Sequence, residues 1–222
     1  IHDESKIQGV DVLKDFFDLG KFPGKRGLRK GAKPNLELAL MADGVEPADV
    51  YEVLSTEAGI DRAFAKLDTI KDSTIWWESG AQPPQLLADG EVVMTTAYNG
   101  RVFNAIAAEG KPFVINWDGQ VWDLDLWVIP KGAPNQEATM DFVKFSTSTK
   151  ALADQASWIP YGPLRKSSFG LVSTFHSDPS LDMAPHMPTA PANFKRALQN
   201  DFEFWADNSD QLNERFNAWL TK

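Results

Sequence analysis

Ala97–Asn135 reads AYNGRVFNAIAAEGKPFVINWDGQVWDLDLWVIPKGAPN. The predicted strand and the candidate ligand-binding residues in this stretch decide how the rest of the chain is interpreted. Branched and aromatic residues are dense from Val121 to Ile129, with turn-forming residues on both sides, a pattern that predicts a strand. The predicted strand contains Asp123 and Asp125. Because desolvating an unpaired carboxylate costs several kcal/mol, these side chains need a partner or a ligand. We therefore expect the strand to line a cleft for a small charged molecule.

The residues that precede this strand predict a strand-to-helix turn. Val92–Ala97 has the composition of a buried strand, and a helix is expected to open on Asn99, Gly100 and Arg101. Helical patterns alternate with strands along the chain, which favours an α/β sheet. Open α/β sheets place their ligands at turns of this kind, so Arg101 is a candidate contact.

Apolar residues at helical spacing predict further helices, which end at prolines and glycines. The predicted helices cover 10–18, 35–44, 47–56, 59–72, two parts of 135–158, and most of 193–220. Those within 135–158 are expected to be capped at Asn135 and at Ser148 or Thr149. The basic segment Lys25–Lys33 lacks the spacing of a phosphate-binding loop and is interpreted as a solvated loop.

Composition excludes several classes of function. The formal net charge is −9, whereas nucleic-acid binding requires a basic face. No cysteine is present, so disulfides and cysteine nucleophiles are excluded. No run of about 18 apolar residues occurs, so no membrane-spanning helix is predicted. The sequence does not begin with methionine, and we expect a processed or trimmed chain.

The sequence carries no recognisable catalytic motif. Asp123 and Asp125 would share a face of a strand, like the carboxylate pair of a glycosidase. No nucleophile or oxyanion-hole signature accompanies them, and His2, His176 and His186 lack metal-ligand spacing. We expect no enzymatic activity, no cofactor and no metal, with a carboxylate-pair hydrolase as the weaker alternative.

A binding site for an amine fits the residue types better. The chain has eight tryptophans, and aromatic faces together with carboxylates suit an ammonium group. An arginine in the same cleft would hold a carboxylate of the same ligand. A carbohydrate site, in which tryptophans stack on sugar rings, is the alternative. Tryptophans also fill cores, and we expect Trp76, Trp158, Trp205 and Trp219 to do so.

A series of segments between Asp11 and Lys166 resembles one protein family. The segments are DFFDLGKFPGKRGL, LELALMADGV, GIDRAFAKLD, QLLADGEVVMTTAYNGRV, WDLDLWVIPKGAPN and IPYGPLRK. In this order they resemble the later part of periplasmic solute-binding proteins of the polyamine-binding type, the receptors of ABC importers. The resemblance implies a type II periplasmic-binding fold, in which a ligand is clamped at the hinge between two α/β lobes. It also implies that part of the first lobe precedes Ile1.

The same resemblance implies a division of the chain into three parts. Residues 1–121 would form the main part of the second lobe. Residues 122–168 would form the hinge strand and a returning segment of the first lobe. Residues 169–222 would form turns and helices that pack on the second lobe.

Matched position by position, the resemblance also implies a set of ligand-binding residues. They are Glu37, Tyr98, Arg101, Trp122, Asp123, Asp125 and Tyr161. Polyamine receptors carry an acid where this chain has Arg101, so the departure favours a ligand with an amine at one end and a carboxylate at the other, such as γ-aminobutyrate. Arg101 would take the carboxylate, and Asp125 or Asp123 would take the ammonium. Putrescine or spermidine would be the ligand if Arg101 pointed away.

The resemblance further implies a place in the cell and a partner. It predicts a periplasmic receptor whose signal peptide has been removed and which delivers its ligand to an ABC permease in the inner membrane. An incomplete first lobe would expose a lobe face, and such a face favours dimers.

Overall fold

The computed structural model describes all residues from Ile1 to Lys222 and divides them into two units. Unit 1 comprises Ile1–Trp122 and Lys195–Lys222, and unit 2 comprises Asp123–Phe194. The chain therefore leaves unit 1 after Trp122 and returns to it at Lys195. The division expected from the sequence differs in its last part, because 169–194 belongs to unit 2 and 195–222 to unit 1.

Unit 1 contains a five-stranded sheet in the order β3-β2-β4-β1-β5. Its strands are β1 (His2–Asp3), β2 (Arg26–Arg29), β3 (Thr74–Trp77), β4 (Met94–Thr95) and β5 (Phe113–Val114). Strand β2 pairs in parallel with β3 and β4, and β1 runs antiparallel to β4 and β5. The mixed α/β class predicted from the sequence is confirmed.

Helices of unit 1 surround this sheet and form most of its core. They are α1 (Leu13–Phe16), α2 (Asn35–Ala42), α3 (Val50–Leu54), α4 (Glu57–Asp68), α5 (Gln82–Ala88), α6 (Asn99–Ala107) and, at the end of the chain, α10 (Phe202–Leu220), with 3-10 turns at Pro47–Asp49 and Lys71–Ser73. Every residue of α2 is buried, as expected for a helix whose residues are mostly apolar. Its leucines pack in one cluster with residues of α4 and α10.

Unit 2 is built mainly from helices. It contains α7 (Gln136–Ser146), α8 (Thr149–Ala156), α9 (Lys166–Phe169), the strands β7 (Thr174–Phe175) and β8 (Asp178–Asp182), and a 3-10 turn at Ala184–His186. Ser148 caps α8 by accepting a hydrogen bond from Ala151 N at 3.3 Å, which confirms one predicted cap. Asn135 precedes α7 but makes no side-chain cap bond.

The strand predicted over 121–129 is much shorter than expected. Only Val121–Trp122 is regular (β6), paired in parallel with β9 (Leu198–Gln199). Asp201 caps α10 two residues after β9, so the partner strand turns into a helix and the ladder ends. Residues 123–128 are exposed and have no regular structure. The predicted strand is present only where a partner segment 77 positions later in the chain supplies hydrogen bonds, such as the one from Asn200 N to Trp122 O at 2.8 Å.

The solvated loop predicted over Lys25–Lys33 is wrong in its first half. Arg26–Arg29 forms the interior strand β2, and Arg26 is fully buried. Its guanidinium donates to the carbonyl oxygens of Phe16 and Phe22, both at 2.7 Å, and of Gly24 at 2.8 Å. A buried cation is tolerated because these acceptors replace its water, and the local sequence does not reveal that they converge.

The tryptophans expected in the core differ in their burial. Trp205 is buried, and Trp76 and Trp219 pack edge to face at 5.8 Å against the same core cluster. Trp158 is 58% exposed and stacks on the ring of His176 at 3.5 Å, so its predicted core role is wrong. None of the helices combines the length and the apolar composition that crossing a membrane requires.

Replacing Arg26 by methionine is expected to lower the free energy of unfolding by about 3 kcal/mol or more. The substitution leaves buried carbonyl oxygens without donors, which costs about 1–3 kcal/mol for each unsatisfied group. Urea unfolding of the protein measures the change. The matched control is Arg29→Met on the same strand, where the side chain is exposed and the expected change is within about 0.5 kcal/mol. Equal effects of the two substitutions would contradict this role for Arg26.

Candidate ligand-binding site

The carboxyl ends of three parallel strands meet at one edge of the unit 1 sheet. Arg29 of β2 lies opposite Trp77 of β3, and Gly27 lies opposite Thr95 of β4. The loops that follow these strands therefore emerge side by side. This edge is where open α/β sheets bind ligands.

Arg101 lies at this edge in the first turn of α6. Tyr98 is the N-cap of that helix, and Arg101 N donates to Tyr98 O at 3.1 Å. The Arg101 side chain is exposed and forms no ion pair in the structure. A guanidinium at a helix amino terminus adds its charge to the positive end of the helix dipole. The arrangement therefore suits an anionic group, and a carboxylate matches the two-pronged geometry of the guanidinium.

One other cation at the edge differs from Arg101 in this respect. Lys30, in the loop after β2, is paired with Glu78 of the loop after β3 at 2.8 Å. An arriving carboxylate would have to compete with Glu78 for Lys30. Arg101 presents no such competitor within the structure.

Tyr98 is held in place by residues of the neighbouring loop and strand. Its ring meets Trp77 edge to face, with centroids 6.0 Å apart, and Trp77 is buried. A Cβ on Gly80 would lie only 2.9 Å from Cδ2 of the Tyr98 ring, so the absence of a side chain at Gly80 lets the ring approach. Tyr98 keeps 47% of its surface exposed. Sequence reasoning missed Trp77 and Gly80 because their contact with Tyr98 depends on strand pairing.

The structure places Glu37 in the core of unit 1, away from solvent. The residue is fully buried, and its Oε1 accepts hydrogen bonds from Trp205 Nε1 at 2.7 Å and from Tyr51 Oη at 3.1 Å. The other oxygen, Oε2, has no partner. Burial raises the pKa of Glu37 to about 7, because the charged form is poorly solvated there. The expectation that Glu37 faces a ligand therefore needs correction, since its carboxyl joins α2 to α3 and α10.

Glu37→Gln is expected to remove a pH dependence of the free energy of unfolding. The pKa of Glu37 rises from 4.5 to about 7 on folding, so the folded state holds the proton more tightly. The stabilisation is complete below about pH 4.5 and is lost as the pH rises through about 7, for a total of about 3 kcal/mol. Urea unfolding at a series of pH values measures this loss, which Glu37→Gln should lack.

Glu52→Gln on the exposed surface of α3 is the matched control for Glu37→Gln. It removes a carboxyl of the same type from the same unit without touching the core. A profile for Glu37→Gln that runs parallel to that of the wild type between pH 4.5 and pH 8 would contradict the assignment.

The remaining predicted ligand residues lie at the end of unit 1 and in unit 2. Trp122 is half-buried and is the last residue of unit 1 before the chain crosses. Asp123 and Asp125 follow at once in unit 2, where both are exposed. Asp123 Oδ1 accepts a hydrogen bond from Leu124 N at 2.9 Å. Tyr161 is 39% exposed in unit 2. Among the predicted residues, the structure brings Tyr98 and Arg101 together in one turn.

No metal site is formed by the residues of either unit, since no three His, Asp or Glu side chains converge.

Comparison with known proteins identifies the family. The model of the bacterial extracellular solute-binding proteins matches residues 4–189. The chain belongs to this family. The match covers most of the first segment of unit 1, most of unit 2 and all the predicted ligand residues.

Individual relatives of this solute-binding protein are known. It is 46% identical over 222 residues to a γ-aminobutyric acid-binding protein of Pseudomonas aeruginosa, and the match covers 100% of this chain and 61% of the relative. The structure of the Atu4243 GABA receptor matches with a TM-score of 0.76 and 33% identity, over 99% of this chain and 64% of the receptor. MotA from A. tumefaciens B6, solved in complex with glucopine, matches with a TM-score of 0.81 and 33% identity, over 99% of this chain and 67% of MotA.

These relatives are longer than the chain described here. The chain spans 61% of the length of the Pseudomonas aeruginosa protein. The fold agrees over that shared length.

Proposed function

We propose that the complete protein is the periplasmic receptor of an ABC importer and captures γ-aminobutyrate or a closely related ω-amino acid. The observation that carries this proposal is Arg101, an exposed guanidinium without an ion pair at the amino terminus of α6. The 46% identity to a γ-aminobutyric acid-binding protein supports the same ligand class. The permease in the inner membrane is the proposed partner.

The two ends of the ligand call for opposite charges. In this proposal Arg101 binds the carboxylate through a two-pronged pair of charge-assisted hydrogen bonds. Asp125 or Asp123, both exposed at the start of unit 2, accepts hydrogen bonds from the ammonium. The aromatic rings of Tyr98, Trp122 and Tyr161 pack on the methylene chain between the two charges.

The mechanism is binding followed by closure, without a chemical step. A ligand that interacts with both lobes stabilises the closed form by its better affinity for that form. The permease then recognises the closed receptor. Neither a cofactor nor a catalytic residue is required for this cycle.

Arg101→Ala tests the proposal in the full-length receptor. Removing one partner of a desolvated charge pair costs about 2–5 kcal/mol, so the Kd for γ-aminobutyrate should rise by about 30-fold or more. Calorimetric titration measures the change. The control is Arg62→Ala, which removes an exposed arginine paired with Asp43 at 2.6 Å in the same unit and should leave the Kd unchanged. An unchanged affinity of Arg101→Ala for γ-aminobutyrate would show that Arg101 does not bind the ligand.

A second candidate ligand is a glucopine-like opine. MotA in complex with glucopine is as similar in sequence, at 33% identity, as the Atu4243 GABA receptor. Competition between γ-aminobutyrate and glucopine for the wild-type receptor separates the two. Tighter binding of glucopine than of γ-aminobutyrate would identify an opine, and not an ω-amino acid, as the ligand.

A further inference from the structure

The two segments that connect the units lie side by side inside unit 1. The chain leaves unit 1 through β6. It returns through the segment that begins at Lys195 and forms β9. Val121 pairs with Leu198, and Trp122 pairs with Gln199. Each strand is only two residues long, so the pairing by itself fixes the segments weakly.

Arg196 anchors the returning segment one residue after it enters unit 1. Its Nη1 lies 3.2 Å from Oδ2 of Asp118, and its Nη2 donates to Met41 O at 2.7 Å. The carbonyl oxygen of Arg196 accepts a hydrogen bond from Gly119 N at 3.0 Å. The guanidinium therefore joins the returning segment to the outgoing segment and to the last turns of α2.

Asp118 extends this set of contacts to the start of α1. Its Oδ2 also accepts a hydrogen bond from Leu13 N at 2.7 Å, and its backbone N donates to Asn116 Oδ1 at 2.9 Å. Gly119, which follows, has a φ of +71°, and a Cβ there would lie 2.5 Å from Leu13 Cδ2. We call Leu13 N, Met41 O, Asp118 and Arg196 the hinge clamp.

The hinge clamp is sheltered enough to hold the segments. The side chains of Arg196 and Asp118 are 28% and 21% exposed, less than those of the surface pairs Lys144–Asp141 and Lys150–Asp154. Ion pairs shielded from water and joined to further hydrogen bonds are screened less than isolated surface pairs. The contacts of the clamp also come from four separate segments, which a single surface pair cannot connect.

We propose that Arg196 is a positioning residue for ligand binding, because the hinge clamp fixes the points in unit 1 from which both connecting segments depart. This inference rests on the proposed function only in that closure of the two units accompanies binding. With the clamp intact, motion between the units is restricted to the few residues that lie beyond Asp118 and Arg196. Without it, the returning segment gains freedom that a ligand must remove on closure.

The expected consequences concern the ligand-free protein as well as affinity. Greater freedom in the open state broadens the distribution of distances between the units. It also raises the entropic cost of closing, so the affinity for γ-aminobutyrate should fall by about 5- to 10-fold, although Arg196 is not one of the proposed ligand-binding residues.

The test uses Arg196→Met in the full-length receptor, with one spin label on each unit. The chain described here contains no cysteine, so Glu109→Cys and Lys131→Cys, both at exposed positions, provide attachment points. Pulsed electron–electron double resonance measures the width of the distribution of distances between the two spin labels without ligand. Calorimetry measures the Kd. Arg215→Met is the matched control, because Arg215 is 32% exposed and pairs with Glu57 at 2.8 Å in unit 1, away from the connecting strands.

The inference predicts a broader distribution and a weaker Kd for Arg196→Met, and wild-type values for Arg215→Met. A distribution as narrow as that of the wild type would overturn it, as would a loss of thermal stability without any broadening. Asp118→Asn removes the charge but keeps an acceptor for Leu13 N, so it should also broaden the distance distribution and raise the Kd. It replaces Arg196→Met in the test if that variant does not fold. If the wild type itself binds no ω-amino acid, the proposed function fails while the distance distribution still decides the role of the clamp.

Discussion

The parallel pairing of β2 with β3 and β4 is the constraint on which the rest of unit 1 depends. Parallel strands need crossover connections, and here α2–α4, α5 and their loops supply them. The same pairing brings the carboxyl ends of the three strands to one edge. Buried Arg26 ties the beginning of β2 to the turn before it, while Arg101 follows the end of β4 with its charge unpaired. The fold thus positions two arginines, one buried in the core and the other exposed at the edge, where we propose that it binds the ligand.

Buried and half-buried polar groups provide long-range connections in the fold. Glu37 joins α2 to α3 and α10 through Tyr51 and Trp205, and Arg196 joins both connecting segments to α2. A buried polar side chain is costly unless its partners are all in place. These groups therefore favour one arrangement of the helices over other packings of the same apolar surface.

The sequence predicts elements whose signals are local and misses those whose partners are distant. Helices α2, α4 and α6 follow from apolar spacing, glycine stops and the Asn99–Gly100 turn, and the Ser148 cap follows from the residue type. The length of β6, by contrast, is set by β9, and the burial of Arg26 is set by carbonyls of an earlier turn. Arg101 was identified as a departure from a family pattern, whereas the core role of Glu37 required knowledge of Trp205, 168 positions away.

The central claim is that the protein recognises both charged ends of one ligand. Compounds that carry only one of the two charges test this claim. The measurement is calorimetric titration of the full-length wild-type receptor with γ-aminobutyrate, butyrate and n-butylamine, which carry both charges, the carboxylate alone and the ammonium alone. Loss of either charge leaves its protein partner desolvated and unpaired, so both fragments should bind at least about 100-fold more weakly than γ-aminobutyrate. Binding of n-butylamine as tight as that of γ-aminobutyrate would contradict the account, because it would leave Arg101 without a ligand group.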